Sequence, residues 1–199
     1  MSKVDLMEKI ASEVRACIKC PLWKDRRKAV PGEGNINSTV LFVGEAPGYW
    51  EDVKGLPFVG AAGKVLNELL TKIGLLRESV FITNVVKCRP PENRDPTPSE
   101  IKTCTSLYLD RQIVLVQPKV IATLGRHSTS YIFSTAGLET VESITKFRGR
   151  IYQAKFQGFS VLVAPMYHPA AVLHNPKYRD GLERDFQLLA GELKKRGYL

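Results

Sequence analysis

Histidine is scarce in this chain of 199 residues, with three in all, and cysteine is limited to four. No stretch approaches the roughly 18 consecutive apolar residues of a membrane span, so no integral membrane protein is expected. The N-terminus, MSKVDLMEKIASEVRACIKC, interleaves charged and apolar residues and lacks the uninterrupted apolar stretch of a signal peptide. An intracellular, cytoplasmic protein is expected, and in that reducing compartment four cysteines suit a metal better than disulfides. A phosphate loop is also missing. VGAAGKVL comes near the pattern, but G-x-x-x-x-G-K-[ST] would need glycine at Phe58 and a hydroxyl at Val65, which disfavours a nucleotide triphosphatase. There is no internal repeat, low-complexity tail or linker, and the length suits one domain over residues 1–199.

What the chain does have is positive charge. A formal net charge of +9 attracts a polyanion, and nucleic acid is the leading class of partner. The alternative is a solubilising surface without a partner.

Four apolar runs, STVLFVGEAPG, SVFITNVV, PKVIATLG and FSVLVAPMYHP, predict buried parallel strands. Between them lie helical patterns: Val65, Leu66, Leu69, Leu70 and Ile73, then Ile101, Cys104, Thr105 and Tyr108. Leu6, Ile10, Val14 and Cys17 predict an opening helix stopped by Pro21, and Leu182, Phe186, Leu189 and Leu193 a closing one. The alternation predicts a three-layer α/β/α fold around a central, mostly parallel sheet of four strands. In such sheets working residues gather at the carboxyl ends of strands. Those ends carry Gly44 to Gly48, Asn84, Gly125-Arg126-His127 and His168-Pro169.

Cys17 and Cys20 form a C-x-x-C pair; 67 residues separate Cys20 from Cys88, and 15 separate Cys88 from Cys104. The pair follows a helix instead of opening one, against a thioredoxin-like redox role. Four thiolates with no obvious histidine partner suit either structural zinc or an iron–sulfur cluster, and ligand count does not separate these. Four unrelated buried thiols are the remaining reading. Between the last two cysteines, Thr97-Pro98-Ser99-Glu100 has the form of a capping box. Pro90, Pro91 and Pro96 stiffen the loop before it, and Lys87, Arg89 and Arg94 make it basic.

Phe58 is either a lid on the core or a stacking platform for a base. Asn84 interrupts an apolar strand, as a satisfied structural amide or as a reader of a nucleobase edge. After His168, the loop AAVLHNPKYR sets Val172 and Leu173 beside His174, Lys177 and Arg179, which suits an apolar wedge entering a base stack while phosphates are held.

Taken together, Cys17-x-x-Cys20, GEAPG, GLPFVGAAGKVL, ITNVVKCRPPENRDPTP, Cys104 and HPAAVL resemble family 4 uracil-DNA glycosylases, the iron–sulfur branch of that superfamily. Glu45 favours family 4 over family 5, whose first motif typically has an apolar residue there. The resemblance implies the uracil-DNA glycosylase fold and a 4Fe-4S cluster, structural in role, held by Cys17, Cys20, Cys88 and Cys104. It implies hydrolysis of the N-glycosidic bond of deoxyuridine flipped from double- or single-stranded DNA, in base-excision repair. Phe58 would stack on uracil, Asn84 would read its edge, and the main chain at Gly44, Glu45 and Ala46 would contact the base. His168 would stabilise the leaving anion. Glu45 would stabilise the sugar cation or orient water. The family 1 aspartate is replaced by Ala46, and the family 1 tyrosine that excludes thymine by Gly48. Leu173 would intercalate, with Val172 as the alternative, and His174 would stand where many relatives have arginine. A nucleoid-associated protein is expected, by default a monomer because it must close around one lesion, with a sliding clamp or another repair protein as a candidate partner. The competing classes are a non-catalytic, metal-stapled nucleic-acid-binding protein and a small electron carrier.

Overall fold

The computed structural model describes residues 1–199. The chain runs through α1 (Lys3–Arg15), β1 (Glu33–Gly34), β2 (Val40–Gly44), α2 (Tyr49–Lys54), α3 (Ala61–Lys72) and β3 (Phe81–Asn84). It continues with α4 (Pro98–Cys104), a π-helical segment (Thr105–Leu109), α5 (Asp110–Val116), β4 (Val120–Leu124), α6 (Arg126–Thr135) and α7 (Ile144–Phe147). It closes with β5 (Tyr152–Phe156), β6 (Phe159–Met166), α8 (Ala170–His174) and α9 (Arg179–Lys195). No helix is long and apolar enough to cross a membrane.

One sheet of six strands has the order β1-β3-β2-β4-β6-β5. The four predicted strands are its centre, β3-β2-β4-β6, all parallel. Every residue of β2, β3 and β4 is buried, because helices cover both faces and the strands need no polar side. The count of four is corrected to six by antiparallel strands at the two edges, β1 and β5. β1 is only two residues long, too short for a periodic signal. β5 alternates half-buried and exposed positions up to the buried Phe156, so it presents no apolar run. Pro165 is tolerated in β6 because pairing with β5 ends at Val163, leaving that stretch with a neighbour on one side only.

Two apolar cores flank the sheet. One gathers α1, α5 and the helical segment around Cys104 against Leu41, Val43 and Ile121; the other sets α3 and α9 against Phe42, Ile82 and Ala122. All the predicted core residues of α3 and α9 are buried. In α1 the buried set is Met7, Ile10, Ala11 and Val14, so the apolar face is rotated away from Leu6, which is exposed. Thr97 caps α4 through the predicted box: its Oγ1 accepts from the Glu100 amide at 3.3 Å and the Glu100 carboxylate accepts from the Thr97 amide at 2.8 Å.

Candidate active site

The carboxyl ends of β2, β3 and β6 open into a pocket of about 410 Å³, the size expected for a small ligand. Glu45, Ala46, Phe58, Asn84, His168 and His174 all line it, so residues from four separated segments meet there. Arg94 and Asn93 join them from the cysteine-bracketed loop.

Phe58 owes its position to a loop held from both sides. Its backbone has φ of 50°, a left-handed conformation costly for an aromatic residue. The Arg77 guanidinium, paired with Glu33 at 2.6 Å, donates to the carbonyls of Pro57 at 2.5 Å and Phe58 at 3.3 Å. From the other side, the Glu51 carboxylate accepts from the amides of Val59 and Gly60 at 2.8 and 2.9 Å. Gly63 completes the fit, since a Cβ there would lie 1.8 Å from the Phe58 carbonyl oxygen.

Asn84 is buried at the end of β3, and its Oδ1 has no hydrogen-bond partner. Such a group costs roughly 1–3 kcal/mol when left unmatched, so it marks a place where a donor is expected to arrive. Gly44 makes room for it: a Cβ at that position would meet Asn84 Oδ1 at 2.3 Å and the Phe58 ring at 2.7 Å.

His168 follows β6 and packs beside Phe58, with ring centroids 5.6 Å apart. Burial lowers its pKa to about 4, against a smaller opposing effect of Glu51, so the imidazole is neutral near pH 7. Its Nδ1 accepts from the Ala170 amide at 3.1 Å, which leaves the proton on Nε2. His168 is therefore a neutral donor of one defined N–H.

Glu45 is half-buried, and that burial raises its pKa above the ordinary carboxylate value. His127 Nε2 lies 3.9 Å from the Glu45 carboxylate and 3.0 Å from Asp95, and Arg126 reaches Asp95 at 3.1 Å. His127 and Arg126 open α6 and Asp95 belongs to the cysteine-bracketed loop, so this cluster ties that loop to the pocket.

The four cysteines converge on a second, small cavity below that loop. Cys88 and Cys104 are buried, Cys17 and Cys20 half-buried, and none forms a disulfide. N–H groups point at three sulfurs: Lys19 at Cys17 (3.5 Å), Arg26 at Cys88 (3.1 Å) and the Lys87 amide at Cys104 (3.3 Å). Four thiols with N–H donors aimed at sulfur fit the thiolate ligand set of a metal centre.

The uracil DNA glycosylase superfamily model matches residues 31–190. A type-4 uracil-DNA glycosylase of Saccharolobus solfataricus is 56% identical over 92% of this chain and 85% of its own length. Type-4 uracil-DNA glycosylases of Sulfurisphaera tokodaii and Archaeoglobus fulgidus are 57% and 48% identical, over 92% and 96% of this chain and 83% and 94% of theirs. The chain belongs to the uracil DNA glycosylase superfamily.

Within this glycosylase framework, two expected surface residues are corrected. Lys87 is 1% exposed and cannot face a ligand; its Nζ donates to Thr83 Oγ1 (2.5 Å), Gln112 Oε1 (2.7 Å) and the Asn84 carbonyl (2.8 Å). Burial lowers its pKa to about 8, opposed first by Cys104. Three acceptors make the buried ammonium tolerable, and the residue braces the strand that carries Asn84. Val172 is also buried, packed in the core between sheet and helices, so it is no wedge. Leu173 is 49% exposed and is the one aliphatic of the pair that projects. Arg94 is half committed, its guanidinium held by both Glu100 oxygens at 2.8 and 2.9 Å.

Glu51 and Asn93, which line the pocket, were not singled out in the sequence, and His127 was named only as a strand-end residue without a role. Glu51 carried only the generic signal of an acid in a first helical turn. His127 stood at a strand end, but nothing in the sequence placed it beside Glu45.

Proposed function

We propose that the chain is a monofunctional uracil-DNA glycosylase that hydrolyses the N-glycosidic bond of deoxyuridine flipped out of DNA. The observation that carries this reading is the orphaned Asn84 Oδ1, buried in a pocket bounded by Phe58 and His168. Uracil presents a donor at N3 flanked by acceptors at O2 and O4, and a side-chain amide matches one donor–acceptor pair of that edge. Asn84 accepts from N3–H and donates to O4, while Phe58 supplies the stacking wall and the main chain at Gly44, Glu45 and Ala46 borders the base.

As the bond breaks, uracil leaves as an anion with charge at O2 and the sugar becomes cation-like. The Nε2–H of His168 stabilises the anion as a neutral donor. Glu45 places negative charge toward the sugar and takes the proton of the water that adds to it, a role its raised pKa suits. Leu173 fills the space that the flipped nucleotide vacates, and Arg89, Arg94 and His174 contribute to the DNA-facing rim.

Cys17, Cys20, Cys88 and Cys104 hold a 4Fe-4S cluster in this reading. Its contribution would be structural, because the four cysteines that would hold it come from just beyond α1 and from both ends of the loop that carries Arg89, Asn93 and Arg94.

The test is excision from an oligonucleotide with a single uracil, followed by alkaline cleavage at the abasic site. Strand breaks above a protein-free control are expected from the wild type. Asn84→Ala and His168→Ala are each expected to lose about 100-fold or more in single-turnover rate while keeping fold and cluster. Unaltered rates in both variants would refute the site.

A further inference from the structure

The segment after Gly48 carries two aromatic side chains that the core does not use. Tyr49 is 44% and Trp50 is 53% exposed, an unusual cost for a tryptophan beside a pocket mouth. They lie edge to face with centroids 5.2 Å apart. Trp50 also packs against Gly60, where an added Cβ would lie 3.5 Å from its Cδ1; Phe58 and Ala62, on either side of Gly60, line the pocket.

Two guanidiniums converge on Tyr49 of this pair from other parts of the chain. Arg27 and Arg89 each lie over the Tyr49 ring, at 5.2 and 5.3 Å from its centroid. Their side-chain hydrogen-bond partners on the protein include Tyr49 Oη and Asn93 Oδ1, both neutral. Neither has a carboxylate within ion-pair distance, unlike Arg94, Arg148 and Arg179, so both are available cations beside an exposed ring. The Arg27 main chain is anchored as well, its amide donating to Asp52 at 2.9 Å, so the shelf is preorganised from three separate segments.

We propose that Trp50, Tyr49, Arg27 and Arg89 form a binding site for an unpaired nucleotide next to the flipped deoxyuridine, with the base stacked on Trp50 and its phosphate held by the two arginines. This rests on the uracil-excision reading and adds a preference to it. A π-face with adjacent cations accepts any base, so it favours single-stranded substrate without reading sequence. In a duplex the neighbouring bases stay paired and stacked, and Trp50 has nothing to receive.

The experiment compares wild type with Trp50→Ala and Trp50→Phe on three substrates: a single-stranded uracil oligonucleotide, the same strand with base-free tetrahydrofuran residues flanking the uracil, and the duplex. Trp50→Ala is expected to lower kcat/KM about tenfold on the ordinary single strand, chiefly through KM, as loss of one stacked base predicts. It is expected to match wild type on the base-free flanks and to stay within about twofold of it on the duplex, and Trp50→Phe to retain most of the single-strand rate. Equal losses on all three substrates, or no loss on the ordinary single strand, would overturn the proposal and leave the aromatic shelf to a protein partner. Absence of excision by the wild type itself would instead remove the uracil reading, and this proposal with it.

Discussion

Glu45 sits closer to neutrality than a solvated glutamate because burial outweighs the neighbouring charges. His127 pulls its pKa down, Asp95 pushes it up and Arg126 pulls it down again, in that order of size. If the ionised carboxylate is the working form, excision fades as pH falls through a value above the ordinary one for glutamate. The protonation of His168 near about 4 lies further into acid and does not set that limb. Replacing His127 by Asn removes the largest effect holding the carboxylate ionised. The acid limb of the single-turnover pH profile is therefore expected to move to higher pH in His127→Asn, with the rate on the plateau changed far less. A limb that stays in place or moves toward acid would show that this pair does not govern the reaction. His168 and Asn84 were legible as candidates because a histidine and an amide ending apolar strands are chemically out of place. Lys87 was misread for the same local reason: a lysine beside a proline-rich loop looks exposed until Gln112 and Thr83 are seen to receive it.

At the scale of elements, the decisive piece is the loop between α2 and α3. It stores an unfavourable backbone at Phe58 and is held by Glu51 on its amides and Arg77 on its carbonyls. Arg77→Ala is expected to cost about 2 kcal/mol of stability through lost charge-assisted hydrogen bonds. Misplacing the ring should lower kcat/KM for uracil excision by about tenfold or more. Arg77→Lys is expected to recover little, because one ammonium cannot reach Glu33 and two carbonyls in the fork geometry of the guanidinium. Thermal melting and steady-state kinetics on the two variants check this. Sequence marked the start of α4 correctly because a capping box is local, spanning Thr97 to Glu100. The edge strands were invisible because pairing at a sheet edge needs no apolar run.

For the whole molecule, the excess of nine positive charges acts at long range, and its effect is read through salt. Arg27 and Arg89 alone, if each displaces counterions at a single-stranded phosphate with a slope of about 0.7, give about a sevenfold loss of kcat/KM between about 50 and 200 mM salt. The single-turnover rate at saturating enzyme is expected to hold constant over that range, since chemistry in the enclosed pocket is screened little. A salt-independent kcat/KM would mean that the charge serves solubility instead.

The sequence by itself determined the four central strands, the helices α1, α3, α4 and α9, and the cysteine quartet. Each of these is written in a local pattern: continuous burial on both faces of a strand, the 3.6-residue period of a helix, or the chemistry of one side chain. Only the tertiary structure decided which residues share the pocket. The order β3-β2-β4-β6 brings Asn84, Glu45, His127 and His168 to one end of the sheet, across separations of dozens of residues that leave no periodic trace. The same packing turned Lys87 inward and left Asn84 Oδ1 without a partner, because hydrogen-bond satisfaction is a property of the assembled neighbourhood and not of the residue.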